Sequence, residues 1–258
     1  MHVLELFSLK DKVALVTGGA GILGKSLVEA LAEAGGKVIM ASRNIEVLEE
    51  EKRNFKAQGL DIDILVYDQG NHDSIVKLKE DIQNVYGRLD IFVNNAVARP
   101  MKTVDADIAV VEQSMRINAV GVIDIMREMS ELMALNGGGS IINISSMMGM
   151  FGPDLSNYDG TDMGTPPPDY FFHKGGMINL TKYYAKVLAG KNIRVNTISP
   201  GGIFNNQPER FLENYTKKVP LRRFGTGQDF KGVTVLLASH AGAYINGENI
   251  LIDGGLLA

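Results

Sequence analysis

Val13-Ala14-Leu15-Val16-Thr17-Gly18-Gly19-Ala20-Gly21-Ile22-Leu23-Gly24 decides the fold. An apolar run that ends in glycines predicts a short strand buried on both faces, as in a parallel sheet. Beyond it, Leu23, Leu27, Ala30, Leu31 and Ala34 fall on one side of a helix from Leu23 to Ala34, which Gly35-Gly36 stops. Gly19, Gly21 and Gly24 fit G-x-G-x-x-G in the strand-to-helix context that the motif needs. Glycine lets the chain turn sharply and lets a pyrophosphate approach the N–H groups that open the helix. The expectation is a dinucleotide site lined by Gly18, Gly19, Gly21, Ile22, Leu23 and Gly24.

The same alternation runs outward along the chain. Strands are predicted at 37–41, 62–67, 90–94, 140–145, 193–199 and 249–253. Helices are predicted at 44–58, 75–86, 106–135, 172–189 and in a late segment that includes 233–239, with an irregular stretch near Asn118-Ala119-Val120-Gly121. The pattern reads as an α/β fold, a doubly wound parallel sheet of the Rossmann type in a single domain over residues 1–258. No internal repeat or low-complexity linker interrupts it. Two stretches break the rhythm: 150–169, rich in Gly, Pro and Asp, reads as an inserted loop near the active site, and 201–230 as a substrate lid carrying a short helix.

Composition narrows the classes. The 258 residues are 45% hydrophobic and 22% charged, enough for one sizeable core. With 26 basic and 30 acidic residues the net charge is -4, which argues against a nucleic-acid partner. Cysteine is absent, so disulfides and thiolate metal sites are excluded. The four histidines, at 2, 72, 173 and 240, lack ligand spacing, and no metal is expected. The first dozen residues do not look like a signal peptide, and no apolar run is long enough for a membrane span. The expectation is a cytoplasmic protein with no membrane partner.

An NAD-selective site places an acid about 20 residues past the glycine turn, at the end of the second strand. This chain has Ala41-Ser42-Arg43-Asn44 there. A guanidinium makes two charge-assisted bonds to a phosphate, and Ser42 adds a donor. NADP(H) is therefore expected over NAD(H), which remains possible.

Tyr170 and Lys174 stand four apart, on one face of a helix, with the Ser145-Ser146 pair upstream. A neighbouring ammonium favours the phenolate, which makes the pair a proton donor or acceptor. Tyr158 is the rival phenol, but four residues on stands Asp162 rather than lysine.

With these pieces in order, the chain resembles the short-chain dehydrogenase/reductase family over nearly its whole length. The motifs are Thr17-Gly18, Asn94-Asn95-Ala96, Asn118, Asn143-Ile144-Ser145-Ser146, Tyr170-x-x-x-Lys174, Pro200-Gly201-Gly202 and Asp253-Gly254-Gly255. The resemblance implies an oxidoreductase that interconverts a secondary alcohol and a ketone. In that reading Tyr170 is the general acid/base, Ser146 polarises the carbonyl, and Asn118 distorts its helix and fixes a water in a proton relay with Lys174. It also implies cofactor contacts from Asp68, Gln69, Asn95, Ala96, Tyr170, Lys174, Pro200, Gly201, Ile203 and Asn205. Relatives usually form homodimers or homotetramers through the long helices and the last strand, and the apolar run from Ile245 to Leu257 suits such an interface.

The chain departs from the family in several places. Gly18, Gly21 and Gly24 have the spacing of the longer sugar-nucleotide branch, Val97 replaces a glycine, and Asn205 replaces a threonine. The gap from Ser146 to Tyr170 is longer than most members show. The added segment carries Asp154, Asp159, Asp162 and Asp169, with Asn157, Tyr158 and Thr161. Carboxylates and amides hold several hydroxyls at once, so a sugar-like, polyhydroxylated substrate is expected. The segment around Tyr158 is also loosely similar to dehydrogenases of bacterial surface-glycan sugar biosynthesis. Lys217, Lys218, Arg222 and Arg223 stand as candidates for an anionic group, or as solvated or structural charges. Met147, Met148 and Met150 read either as an adaptable apolar wall or as core. His173 is assigned no role. Two alternatives remain: a redox-neutral sugar-nucleotide epimerase or dehydratase, and a non-catalytic regulator that binds NADP(H).

Overall fold

Every run predicted as a strand pairs in parallel with its neighbours in a computed structural model, which describes residues 2–258. Met1, first residue of the expected domain, lies outside the described residues. The strands are β1 (Val13–Thr17), β2 (Lys37–Ser42), β3 (Ile62–Val66), β4 (Ile91–Asn94), β5 (Gly139–Ile144), β6 (Ile193–Pro200) and β7 (Asn249–Ile252). They form one sheet in the order β3-β2-β1-β4-β5-β6-β7. Strand order reverses between β1 and β4, and the crevice at their carboxyl ends is where sheets of this kind take ligands.

Helices cover both faces: α1 (Ile22–Glu33), α2 (Ile45–Ala57), α3 (His72–Tyr86), α4 (Ile108–Met115), α5 (Gly121–Leu135), α6 (Pro168–Val187), α7 (Glu209–Thr216) and α8 (Gln228–Ala238). On one side Leu15, Ile39, Phe92 and Ile141 pack against α3, α5 and α6. On the other Val16, Met40, Val93 and Ile142 pack against α1, α2 and α8. A third, smaller cluster joins Met147 to Phe211, Tyr215, Val219 and Phe224, and seats α7 over the carboxyl end of the sheet.

The starts of α3 and α6 differ from the sequence expectation, and that of α8, which the sequence leaves open, is set, each for a local reason. Helix α3 begins at His72 rather than Ile75, because the Asn71 side chain accepts from Ser74 N at 3.0 Å and caps it. Helix α8 begins at Gln228, where Asp229 accepts from Thr226 N at 2.7 Å. Helix α6 begins at Pro168 rather than Phe172. A proline is favoured in the first helical position, where its missing N–H loses nothing. The earlier start places Tyr170 inside the helix, one turn before Lys174.

The expected irregularity is a π-helical turn at Arg116–Val120, between α4 and α5. Gln69 explains it from outside: its amide donates to Ile117 O at 3.0 Å. Its backbone carbonyl packs where a Cβ on residue 121 would lie, so Gly121 is required there. Among the described residues no helix is long and apolar enough to cross a membrane.

The glycine turn is built by close approach. Gly18 has φ +61°, and a Cβ on it would stand 2.9 Å from Ala96 Cα. A Cβ on Gly24 would land on the Gly18 carbonyl. Gly24→Ala is expected to destabilise the fold by about 1–3 kcal/mol through this overpacking, read as a lower urea midpoint at unchanged slope.

Candidate active site

Helix α1 opens without a side-chain cap: Gly21 occupies the cap position with extended backbone and no side-chain bond. A Cβ on Gly21 would meet only the Gly18 carbonyl, at 3.2 Å. The turn thus leaves an open concave face beside free N–H groups, and that shape and polarity fit a pyrophosphate. Asn95 braces it, donating from Nδ2 to Thr17 O and Gly18 O, both at 3.0 Å. Thr17 Oγ1 accepts from Ala96 N at 3.2 Å.

Ser42 ends β2, and Arg43 follows it, exposed and without a carboxylate partner among the described residues. Asp68 stands just past β3, where one of its oxygens accepts from Gly70 N at 2.9 Å. Gln69 differs from the other expected cofactor contacts. Its side chain is buried, with Oε1 on the Tyr67 hydroxyl and Nε2 on Ile117 O, so it is spent inside the fold. Pro200 ends β6, Gly201 N donates to Ile252 O at 2.8 Å, and Gly202 N donates to the Tyr215 hydroxyl at 2.7 Å. Ile203 bridges to Gly225, while Asn205 is exposed and its N–H is taken by Gln207.

Lys174 is buried, and its Nζ donates to Ile144 O at 2.6 Å. The same Nζ lies 5.6 Å from the Tyr170 ring centroid. Of the two serines, Ser145 is structural: its hydroxyl donates to Lys174 O at 2.7 Å and ties β5 to α6. Gly149 permits the contact, because a Cβ there would stand 2.6 Å from the carbonyl carbon of Lys174. Ser146 is left beside Tyr170. Burial pushes the Tyr170 phenol up, but Lys174, Arg99 and Ser146 together outweigh it and hold the group below the ordinary phenol range. Burial in turn pushes the Lys174 ammonium down, offset in part by Tyr170.

Arg99 escaped the sequence reading. It lies just past β4, exposed, with its guanidinium carbon 4.3 Å from the Tyr170 ring centroid. A basic residue five positions after Asn94, on the strand that borders the crevice, was the available signal.

A buried polar cluster behind Tyr170 escaped it too. Ser114 donates to Asp169 at 2.5 Å, and its oxygen lies 3.1 Å from His173 Nε2 and 3.2 Å from Asn118 Nδ2. Asn118 also grips Ala98 at both backbone groups, accepting from its N at 2.9 Å and donating to its O at 2.8 Å. With the Ser114 proton on Asp169, His173 is the donor from Nε2, and its Nδ1 has no partner among the described residues. Burial holds the His173 imidazole below its usual range, in keeping with a neutral ring.

The segments flanking this site lock each other. Lys218 donates to Asp154 at 2.6 Å, Ser156 at 2.5 Å and Asn157 at 2.7 Å. Asn214 reaches Asn157 O and Asp159 O, and Tyr158 packs on Phe211 at 5.2 Å. Arg223 is paired with Asp229, and Arg222 reaches the Lys217 carbonyl. Lys218, Arg222 and Arg223 are thus already engaged, which favours their structural reading over the anion-binding one. Asp154 is likewise taken, and Asp169 is buried. Met147 is core beneath α7, not a free wall.

A family model described as enoyl-(acyl carrier protein) reductase matches residues 18–257. The chain is 34% identical to the 3-oxoacyl-[acyl-carrier-protein] reductase FabG of Thermotoga maritima, over 96% of this chain and 99% of the relative. The chain belongs to the short-chain dehydrogenase/reductase family. Two solved structures are similar to it over nearly their whole length. A gluconate 5-dehydrogenase from Burkholderia cenocepacia J2315, in complex with NADP and tartrate, superposes with TM-score 0.87 at 28% identity, covering 99% and 98% of the two chains. A short chain dehydrogenase from Leptospira borgpetersenii serovar Hardjo-bovis, with bound NAD+, gives 0.86 at 30% identity, covering 100% and 96%. As a member of the short-chain dehydrogenase/reductase family the protein is an NAD(P)-dependent oxidoreductase acting between alcohol and ketone.

The two cations beside Tyr170 act in one direction. A nearby positive charge favours the phenolate, so its removal raises the phenol pKa. Arg99→Gln and Lys174→Met are each expected to move Tyr170 ionisation to higher pH. The readout is the ultraviolet difference titration between each protein and its Tyr170→Phe counterpart.

Proposed function

We propose that the protein oxidises or reduces a sugar-like, polyhydroxylated secondary alcohol or ketone with NADP(H), and that Tyr170 carries the proton. The observation behind this reading is that the Lys174 ammonium and the Arg99 guanidinium carbon lie 5.6 and 4.3 Å from the Tyr170 ring centroid. When bound, the nicotinamide dinucleotide supplies the hydride acceptor or donor.

The glycine turn from Gly18 to Gly24 and the uncapped start of α1 would hold the pyrophosphate. Ser42 and Arg43 would take the 2′-phosphate, and the absence of an acid at the end of β2 favours that choice. Asp68, Asn95 and Ala96 would border the adenosine half, and Pro200, Gly201, Ile203 and Asn205 the nicotinamide half. Tyr170 takes the hydroxyl proton of an alcohol as phenolate, or gives it to a ketone as phenol. Ser146 donates to the substrate oxygen and fixes it. Lys174 keeps the phenolate favoured. Asn118 holds the relay end of the site and the Ala98 backbone.

The sugar-like substrate is supported by the exposed Asp159 and Asp162 on the inserted loop and by the similarity to a gluconate 5-dehydrogenase. Segment 201–230 serves as the lid in this reading, because α7 seats its aromatic cluster on Met147, one residue past Ser146. The protein is taken as a cytoplasmic homodimer or homotetramer, and exposed Ile108 and Ile123 with Phe172 and Tyr183 give α4, α5 and α6 apolar surface for it.

Turnover of free sugars, sugar acids and sugar phosphates with each dinucleotide tests the reading. NADP+ is expected to be preferred at least about tenfold, the worth of one charge-assisted pair. Arg43→Ala should erase that preference, and Tyr170→Phe should abolish turnover while dinucleotide binding persists. A tenfold preference for NAD+, or full activity in Tyr170→Phe, would overturn it.

A further inference from the structure

Among the described residues, Arg99 is a strong cation at the mouth of the site that the fold does not use. Lys218 is spent on Asp154, Arg223 on Asp229, and Arg210 and Lys217 on Glu213. Lys174 is buried on Ile144 O. Arg99 has no carboxylate within ion-pair distance, and apart from the phenol that it faces no group accepts a hydrogen bond from it among the described residues. A guanidinium carries five N–H donors in a fixed fork, so a ring face alone leaves most of them to solvent.

Its backbone is nevertheless held. Ala98, just before it, is gripped at both N and O by Asn118. Pro100, just after it, restricts residue 99 to extended conformations, and Met101 is buried. Tyr158, from the inserted loop, stands close enough for Arg99 to favour its phenolate, although burial pushes that phenol up overall. A surface cation with no structural partner does not need such anchoring. A cation that must meet a ligand in one place does, because preorganisation lowers the cost of binding.

We infer that Arg99 is a specificity-determining residue whose guanidinium receives an oxyanion carried by the substrate close to the reacting carbon. This rests on Tyr170 as the proton-carrying group. The oxygen that meets the Tyr170 hydroxyl stands beside the ring, and the guanidinium lies over that same ring. The anionic group of the substrate therefore sits near the carbinol or carbonyl carbon, not at the far end of a long chain. Carboxylate and phosphate both fit a planar fork. The substrate class is a hydroxy or oxo acid, or a hydroxy compound bearing a phosphate ester beside the reacting carbon.

The test measures kcat/KM for 2- and 3-hydroxy acids, for the neutral amides of the same skeletons, and for hydroxyalkyl phosphates. Wild type is expected to prefer one anionic series over the amides by about tenfold to a hundredfold, the worth of a charge-assisted bidentate pair. The anion-to-amide ratio cancels whatever a substitution does to Tyr170. In Arg99→Gln that ratio should fall to near one, and in Arg99→Lys it should recover in part. Whichever series carries the preference names the anion. A ratio that is unchanged in Arg99→Gln while kcat falls overturns the inference and leaves Arg99 a tuner of the phenol only.

A second readout needs no turnover. Calorimetry of Tyr170→Phe with tartrate should show binding that the further change Arg99→Gln weakens at least tenfold; equal binding by the two proteins also overturns the inference. Loss of the oxidoreductase reading would instead appear as no turnover of any alcohol by wild type, with Arg99-dependent tartrate binding intact.

Discussion

A buried ammonium with no carboxylate beside it is the constraint on which this site depends. Lys174 is taken out of water, a step that disfavours its charged form, and the fold answers with a single backbone carbonyl, Ile144 O. Among the described residues, the remaining stabilisation comes from the Tyr170 phenol. Each group therefore sets the other: the ammonium favours the phenolate, and the phenolate favours the ammonium. Helix α6 imposes the pairing through its four-residue spacing, and Ser145 nails that helix to β5 through Lys174 O. Removing the nail would loosen the spacing that the electrostatics require.

Strand identity was legible because the runs are short, apolar and bounded by glycine, and the observed strands differ from the expected ones by no more than a residue at either end. The helix starts were less legible. Asn71 capping α3 and Pro168 opening α6 are local signals, but the triple proline at 166–168 reads as loop until the tertiary structure shows that its last member lies in the first helical turn. The π-turn was visible only as an anomaly near Asn118. Its cause, the Gln69 amide on Ile117 O, comes from a residue far away in sequence.

The site divides in the same way. Glycines, Tyr170, Lys174 and Ser146 lie in motifs whose spacing carries the geometry. Arg99 and Ser114 lie in none, His173 fills a position that the Tyr170–Lys174 motif leaves open, and only folding brings β4, α4 and α6 together around Tyr170. Charge alone left the other edge of the site open. Four basic residues at 217–223 could bind an anion or serve the fold, and Lys218 turns to the inserted loop and Arg223 to Asp229. A side chain's formal charge says what it can bind; only its neighbours say whether it is already bound.

The clasp of Lys218 on Asp154, Ser156 and Asn157 joins two segments that are remote in sequence. Asn214 and the Tyr158–Phe211 contact add to the same seam. Neither segment can shift alone without breaking hydrogen bonds to the other, so the two are coupled at one seam. The length of the loop is tied to that partner: a deletion within 154–159 would remove the contacts that Lys218, Asn214 and Phe211 make with it.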